Sequence, residues 1–269
     1  MKPSIRLTGV AFLLVLSTAT ARDPGWFTIG ISDPAVHVTI IYDNYVSDPS
    51  MSADWGFACL VEYLGNAMLF DAGRDADLYR QNMQIPGLAP AAYDALFVSH
   101  HHGDHTAGIP WILGENPTIK CYFPSVYEDL LRSENRLPEH YKGFDAPAHI
   151  SGPFYSTGDH FEAFREQGLV VKTGQGGILI TGCGHPGIVE MVKVVREELG
   201  INVSAVIGGL HLMNSSKQQL DEIAAALKEM GIRQICPTHC TGDQSIAYFK
   251  SSFGEGYLAG GTGKELIIQ

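Results

Sequence analysis

One short stretch, Ser99–His105 (SHHHGDH), constrains this chain more than any other part of its sequence. It places four imidazoles and a carboxylate directly after the apolar run Ala95–Val98. The apolar run predicts a buried strand, so the polar residues would lie at the edge of a sheet. Burying so many polar groups is costly unless a ligand satisfies them. The alternative is an exposed histidine-rich loop, and the apolar run argues against it.

The spacing within this stretch suits metal binding. In an extended backbone His100, His102 and Asp104 would point to one side, because side chains alternate along a strand. His105 could join them if the chain turns, and Gly103 permits a turn. Neutral imidazoles and carboxylates ligate zinc, manganese and iron. We therefore expect one or two divalent ions here, with Zn²⁺ as the first candidate and Mn²⁺ or Fe²⁺ as alternatives.

Three more histidines follow predicted strands in the second half of the chain. His185, His211 and His239 each lie in a glycine-containing turn after an apolar run. Open α/β architectures build their sites at strand ends, and glycine lets the backbone approach a ligand closely. The simplest interpretation is that these imidazoles converge with the cluster after residue 98 on one site.

The order of predicted elements indicates an α/β fold. Three apolar segments between residues 36 and 70 predict a small antiparallel meander. Strands and helices then alternate, and residues 188–199 carry their apolar side chains on one helical stripe. Residues 134–168 show no regular pattern and contain three prolines. We expect this segment to be an irregular, substrate-facing insertion.

The first residues resemble an export signal. Two basic residues precede the apolar run Val10–Leu16, and Ala19–Ala21 resembles a signal-peptidase site. The run is too short for a stable membrane span, although an uncleaved anchor or a leading core helix is an alternative. We expect residues 1–21 to be removed. Residues 22–269 would then form one exported domain, periplasmic or secreted, without stable membrane insertion.

Charge and cysteine content limit the partners of this chain. Its net charge of −11 argues against nucleic acid or an anionic membrane surface, so we expect a small-molecule substrate. The five cysteines are odd in number and are not spaced like a disulfide framework. Cys183 and Cys240 lie close in sequence to histidines and could sit near a metal. Packing as small apolar residues is the simpler interpretation.

The motif and its surroundings resemble the metallo-β-lactamase superfamily. An HxHxDH motif at residues 100–105 follows a strand, and Asp71 precedes it in the run FDAG. His185 and His239 stand where the superfamily places its remaining histidine ligands. The resemblance covers about residue 36 to the end of the chain. It implies an α/β (α+β) fold, a four-layer αβ/βα sandwich with two mixed β-sheets flanked by helices.

The resemblance also implies a role for each motif residue. It assigns His100, His102 and His185 to a first ion, and Asp104, His105 and His239 to a second. Asp71 would orient a ligand from behind. Asp104 and His105 are the catalytic candidates.

One ligand that the superfamily usually supplies is missing. This is an aspartate that joins both ions from a strand end between the last two histidines. Only Asp221 lies between His185 and His239, and it falls inside a predicted helix. His211 occupies the expected strand end, but an imidazole ligates one ion through one nitrogen. His211 would therefore complete the second site or contact substrate.

A narrower resemblance is carried by three later motifs, Gly182–Ile188, Gly208–Leu212 and Pro237–Gly242. They resemble the branch named for dihydropterin ribofuranosylaminobenzene phosphate synthase. The superfamily implies a hydrolase that uses metal-activated water on an ester, lactone or phosphoester. The alternatives are a transferase acting on a phosphorylated pterin-like substrate and a non-catalytic exported metal-binding protein. Trp55 and Tyr45 are expected to shape the substrate pocket.

Overall fold

The computed structural model describes residues 34–269, and the predicted export signal lies outside this range. The strands are β1 (Val36–Tyr42), β2 (Ala58–Tyr63), β3 (Asn66–Phe70), β4 (Ala95–Phe97), β5 (Lys120–Pro124), β6 (Tyr141–Phe144), β7 (Ala148–Ser151), β8 (Phe154–Ser156), β9 (Leu169–Thr173), β10 (Gly176–Thr181), β11 (Val203–Gly209), β12 (Gln234–Thr238) and β13 (Glu265–Ile268). The helices are α1 (Ala76–Gln84), α2 (Gly103–Thr106), α3 (Ile109–Glu115), α4 (Glu128–Ser133), α5 (Ile188–Glu197), α6 (Lys217–Glu229) and α7 (Asp243–Phe253). Within the described range, no helix combines the length and apolar character that crossing a membrane requires.

The strands form two mixed sheets. The first has the order β13-β1-β2-β3-β4-β5-β6, and the second has the order β12-β11-β10-β9-β8-β7. Strands β1 to β3 pair antiparallel, which confirms the predicted meander, and β3 to β6 pair in parallel. In the second sheet β7 to β10 are antiparallel, whereas β10, β11 and β12 are parallel neighbours.

Apolar side chains on the inner faces hold the two sheets together. Val38 and Phe70 from the first sheet belong to the same buried cluster as Val171 and Ile207 from the second. Burying such side chains is the main favourable contribution to folding. The sheets therefore pack face to face, as the resemblance implies.

Helices cover the outer faces of both sheets. Tyr79 of α1 and Ile112 of α3 pack on the outer side of the first sheet. Met191 of α5, Leu227 of α6 and Phe249 of α7 pack on the outer side of the second. Each helix buries one apolar stripe, as expected for an amphipathic helix on a sheet. The order helix, sheet, sheet, helix confirms the four-layer sandwich.

The segment 134–168 differs from its prediction. It contains β6, β7 and β8, which extend both sheets, so the expectation of an irregular segment was wrong. These strands have only three or four residues each. Their pairing with β5 and β9 defines them, and local sequence patterns do not report such long-range pairing.

Candidate metal centre

Two regions of the fold bring the candidate ligands together. The first is the loop after β4, residues Ser99–His105, which we call the β4 loop. The second comprises the turns that follow β10, β11 and β12, which we call the parallel edge. These strands are parallel and in register, with Thr181 opposite Gly208 and Gly209 opposite Thr238. Because parallel strands end on the same side of a sheet, their turns lie side by side.

The β4 loop is extended only up to His102. This residue has φ −61° and ψ 144° and directly precedes α2. Asp104 and His105 therefore reach the site from a helical turn that begins at Gly103. The expectation that strand alternation directs Asp104 toward the site was wrong, because the backbone turns two residues before His105.

The candidate ligand atoms form two overlapping groups, and within each group all atoms lie within 4.8 Å of one another. One group is Asp104, His105, Cys183 and His239, and the other is His100, Cys183 and His185. His102 adjoins the second group, since its Nδ1 lies 3.0 Å from Nε2 of His100. The structure thus brings together all six histidine and aspartate ligands that the resemblance assigns.

His211 lies at the border of the site. It is exposed, it belongs to neither group, and its ring centroid lies 4.2 Å from that of His185. A hydrogen bond with the Cys240 side chain raises the pKa of His211. Asp221 is remote from the centre and pairs on the surface with Lys217 at 2.8 Å.

Asp71 orients two histidines of the β4 loop from behind. Its Oδ2 accepts hydrogen bonds from His105 Nδ1 and from Ser99 Oγ, both at 2.7 Å. Because Ser99 Oγ donates to Asp71, it accepts from His100 Nδ1 at 2.9 Å. Both imidazoles therefore carry their proton on Nδ1 and turn an unprotonated Nε2 toward the other candidate ligands. Burial lowers the pKa of His100, whereas Asp71 outweighs burial and raises that of His105.

His239 is oriented by a separate set of residues. Asn44 Oδ1 accepts from His239 Nδ1 at 3.0 Å, which leaves Nε2 facing the centre. Asp43 accepts the backbone N–H of His239 at 3.2 Å and the Thr238 hydroxyl. Burial raises the pKa of Asp43 to about 6. Sequence reasoning did not assign Asn44 this role, although Asn44 lies two residues after the end of β1.

Asp104 is held between the two regions. Its Oδ2 accepts from Trp55 Nε1 at 2.8 Å and lies 3.4 Å from His239 Nε2 and 3.7 Å from His105 Nε2. Although burial raises the pKa of Asp104, the adjoining imidazoles outweigh burial and hold it below its usual range. Trp55 thus positions a candidate ligand and also lines the adjacent groove.

Two buried ring nitrogens of the site make no hydrogen bond with the described residues. Within residues 34–269, Nε2 of His185 and Nε2 of His239 have no hydrogen-bond partner. A buried nitrogen without a partner is costly, and a cation at this point would satisfy it. Burial also lowers the pKa of His185 to about 3, so its imidazole is neutral and can donate a lone pair. The donor set therefore fits a divalent metal ion.

Glu166 is a buried residue of the site that sequence reasoning missed. Its carboxylate accepts hydrogen bonds from three consecutive backbone N–H groups, those of Cys183, Gly184 and His185, at 2.8–2.9 Å. Burial raises the pKa of Glu166 to about 7. The nearby Phe164 ring lies 4.2 Å from the His185 ring. Segment 134–168 therefore contacts the turn that carries Cys183 and His185, through Glu166 and Phe164.

An open groove of about 730 Å³ lies beside Asp104, lined by Trp55, Arg74 and Arg136 among others. An apolar cavity of about 420 Å³ shares Arg136 and three more lining residues with it. Tyr45 lies elsewhere, because its hydroxyl donates to Asp243 at 2.7 Å and its ring lines a separate cavity.

The chain belongs to the metallo-β-lactamase superfamily, whose family model matches residues 56–195. The synthase of Methanocaldococcus jannaschii for 7,8-dihydropterin-6-methyl-4-(beta-D-ribofuranosyl)-aminobenzene-5'-phosphate is 28% identical over 252 residues, which cover 75% of this chain and 86% of the synthase. This similarity supports the narrower resemblance.

Solved structures share the fold. A metal-dependent hydrolase of the β-lactamase superfamily has a TM-score of 0.73 at 22% identity, covering 86% of this chain and 98% of its own. The metallo-β-lactamase fold protein YhfI from Bacillus subtilis has a TM-score of 0.63 at 17% identity, covering 87% of this chain and 99% of its own. At these identities the similarity concerns the fold alone.

Proposed function

We propose that this protein is a metal-dependent hydrolase that holds one or two divalent ions, Zn²⁺ first among them, with its histidine–aspartate cluster. The observation that carries this proposal is the convergence of imidazoles from the β4 loop and the parallel edge. The Nδ1 atoms of His100, His105 and His239 are hydrogen-bonded to Ser99, Asp71 and Asn44, and these three imidazoles contribute to the two overlapping ligand groups. Side chains that only filled space would not need such directed hydrogen bonds.

A divalent ion bound here would lower the pKa of water toward neutrality, from about 15.7 to about 7 in a favourable case, and stabilise negative charge on the substrate. The chain's own groups fix the geometry for this chemistry. Asp104 is ionised and is held in place by Trp55, so it can accept a hydrogen bond from the nucleophile and orient it. Asp71 holds His105 in a single orientation, which makes the site rigid before substrate arrives.

The substrate is proposed to be a small ester, lactone or phosphoester. The groove beside Asp104 favours the phosphoester, because Arg74 and Arg136 line it and guanidinium groups suit a phosphate. The adjoining apolar cavity would accept a nonpolar part of the same molecule. The net negative charge of the chain again argues against nucleic acid as the substrate.

A transferase acting on a phosphorylated pterin-like substrate is the second candidate, supported by the similarity to the archaeal synthase over 75% of this chain. The proposed export of residues 22–269 favours the hydrolase, since pterin intermediates are made in the cytosol. Mass spectrometry of the mature protein distinguishes these settings. A chain that starts near Arg22 supports export, and an intact N-terminus contradicts it.

The direct test is to purify the protein without added metal, determine its metals by elemental analysis, and assay nitrophenyl esters, phosphoesters and a lactone. We expect bound divalent metal and turnover that incorporates ¹⁸O from labelled water into the product. His102→Ala and Asp104→Ala should abolish turnover with the fold intact, whereas the exposed His140→Ala should not change it. Metal without turnover would indicate a non-catalytic metal-binding protein, and full activity in both site variants would refute the assignment.

A further inference from the structure

We propose that Cys183 supplies, as a thiolate, the ligand that joins the two metal-binding groups in place of the missing aspartate. This inference rests on the proposed metal site. From the sequence alone, the simpler interpretation of Cys183 is that it packs as a small apolar residue.

The geometry singles out Cys183. Of the described residues, it is the one whose ligand atom belongs to both groups, with Asp104, His105 and His239 on one side and with His100 and His185 on the other. Its Sγ lies 3.3 Å from Nε2 of His105. A ligand that joins two ions must lie within reach of the ligands of both, and Cys183 Sγ meets this condition.

The other side chains that were candidates to join the two groups lie outside both of them. Asp221 is on the surface, bonded to Lys217 and Tyr248, and cannot reach the centre. His211 is exposed and lies outside both groups. Cys240 is buried but also lies outside both groups, and its Sγ donates to the backbone carbonyl of Cys183.

The backbone of Cys183 is fixed from two sides. Its N–H donates to Glu166 at 2.9 Å, and its carbonyl accepts from Cys240 Sγ at 3.4 Å. Packing beside Gly209 is so close that a Cβ there would lie 2.8 Å from Cys240 Sγ and 3.1 Å from Cys183 Cα. A side chain needed only to fill space would not require this support, whereas a ligand must be held in one orientation.

The chemistry suits the role. A thiolate sulfur has several lone pairs and can bind two ions, which a neutral imidazole cannot. On binding, the S–H bond of Cys183 breaks, bonds from sulfur to metal form, and the proton passes to the buffer. Thiolate ligands favour zinc, whereas carboxylates suit manganese, so the centre should discriminate against Mn²⁺.

The test is to load metal-free protein with Co²⁺ and record the near-ultraviolet spectrum, in which sulfur bound to cobalt gives charge-transfer absorption. Four variants are compared with the wild type: Cys183→Ser, Cys183→Asp, Cys240→Ser and the remote, buried Cys121→Ser. We expect the absorption in the wild type, in Cys240→Ser and in Cys121→Ser, and its loss in both Cys183 variants. Cys183→Ser should bind one ion fewer, and Cys183→Asp should restore the second.

X-ray absorption at the zinc edge of the wild type gives a measurement that does not depend on any variant. We expect a sulfur neighbour at about 2.3 Å from zinc. Metal bound with only nitrogen and oxygen neighbours, or unchanged absorption in a folded Cys183→Ser, would overturn the role of Cys183 and leave the proposed hydrolase intact. Failure of the wild type to bind any metal would overturn both.

Discussion

The β4 loop and the parallel edge contribute ligands to one centre in opposite ways. The β4 loop supplies four assigned ligands from six consecutive residues, and Asp71 orients two of them, His100 and His105. The parallel edge supplies side chains that are far apart in sequence and meet because β10, β11 and β12 are in register. The difference teaches that adjacency in sequence brings the ligands of the β4 loop together, whereas the parallel edge depends on the pairing of β10, β11 and β12.

The largest expected effect comes from removing one ligand of each region. His100→Ala in the β4 loop and His239→Ala at the parallel edge should each abolish turnover and release metal, because each removes a nitrogen facing the centre. Activity assays and elemental analysis measure both effects, with His149→Ala on the surface as the matched control. If only the β4 loop variant lost metal, the parallel edge would not belong to the site.

Glu166→Gln should affect the parallel edge alone. The amide keeps one acceptor oxygen and turns an NH₂ group toward backbone N–H donors, so at least one buried hydrogen bond is lost. We expect the free energy of unfolding to fall by about 1–3 kcal/mol. Metal affinity should fall about 10–100-fold. Denaturation and metal titration test this against the exposed Glu162→Gln, and unchanged affinity would show that Glu166 does not position the ligands.

Ser99→Ala and Asn44→Ala compare the two regions more finely. Each removes the hydrogen bond from one histidine Nδ1, that of His100 or of His239 respectively, without removing a ligand. We expect each to weaken metal binding about 10–100-fold while the fold persists. Competition with a chromogenic chelator measures this loss. Wild-type affinity in either variant would contradict the proposed orientation of that ring.

The smallest effect is expected in the groove, outside both regions. Arg74→Ala should raise the KM for a phosphoester about tenfold with little change in kcat, because one hydrogen bond to a charged group contributes about 1.5–3 kcal/mol. Arg80→Ala, whose side chain pairs with Asp77 on α1, is the control. An equal rise in KM for an uncharged ester would argue against recognition of phosphate.

The same difference between the β4 loop and the parallel edge explains which parts of the site could be predicted from the sequence. The cluster at 99–105 is visible because its members are adjacent, and the later histidines are visible because each ends an apolar run. The contact of Glu166 with the backbone of Cys183 forms only when segment 134–168 packs against the turn after β10. No local pattern reports that contact.

Two further differences have the same physical origin. The short strands β6 to β8 exist through pairing with distant partners, which single-sequence patterns do not capture. From the sequence, Tyr45 is expected, together with Trp55, to shape the substrate pocket. Its hydrogen bond with Asp243 at the start of α7 holds it in another cavity.

The buried carboxylate of Asp71 has a consequence for both metal positions. Through one oxygen it holds His105 directly and His100 by way of Ser99, and these histidines belong to different ligand groups. A substitution at Asp71 would therefore loosen one histidine of each group at once, so metal binding at both positions should weaken together.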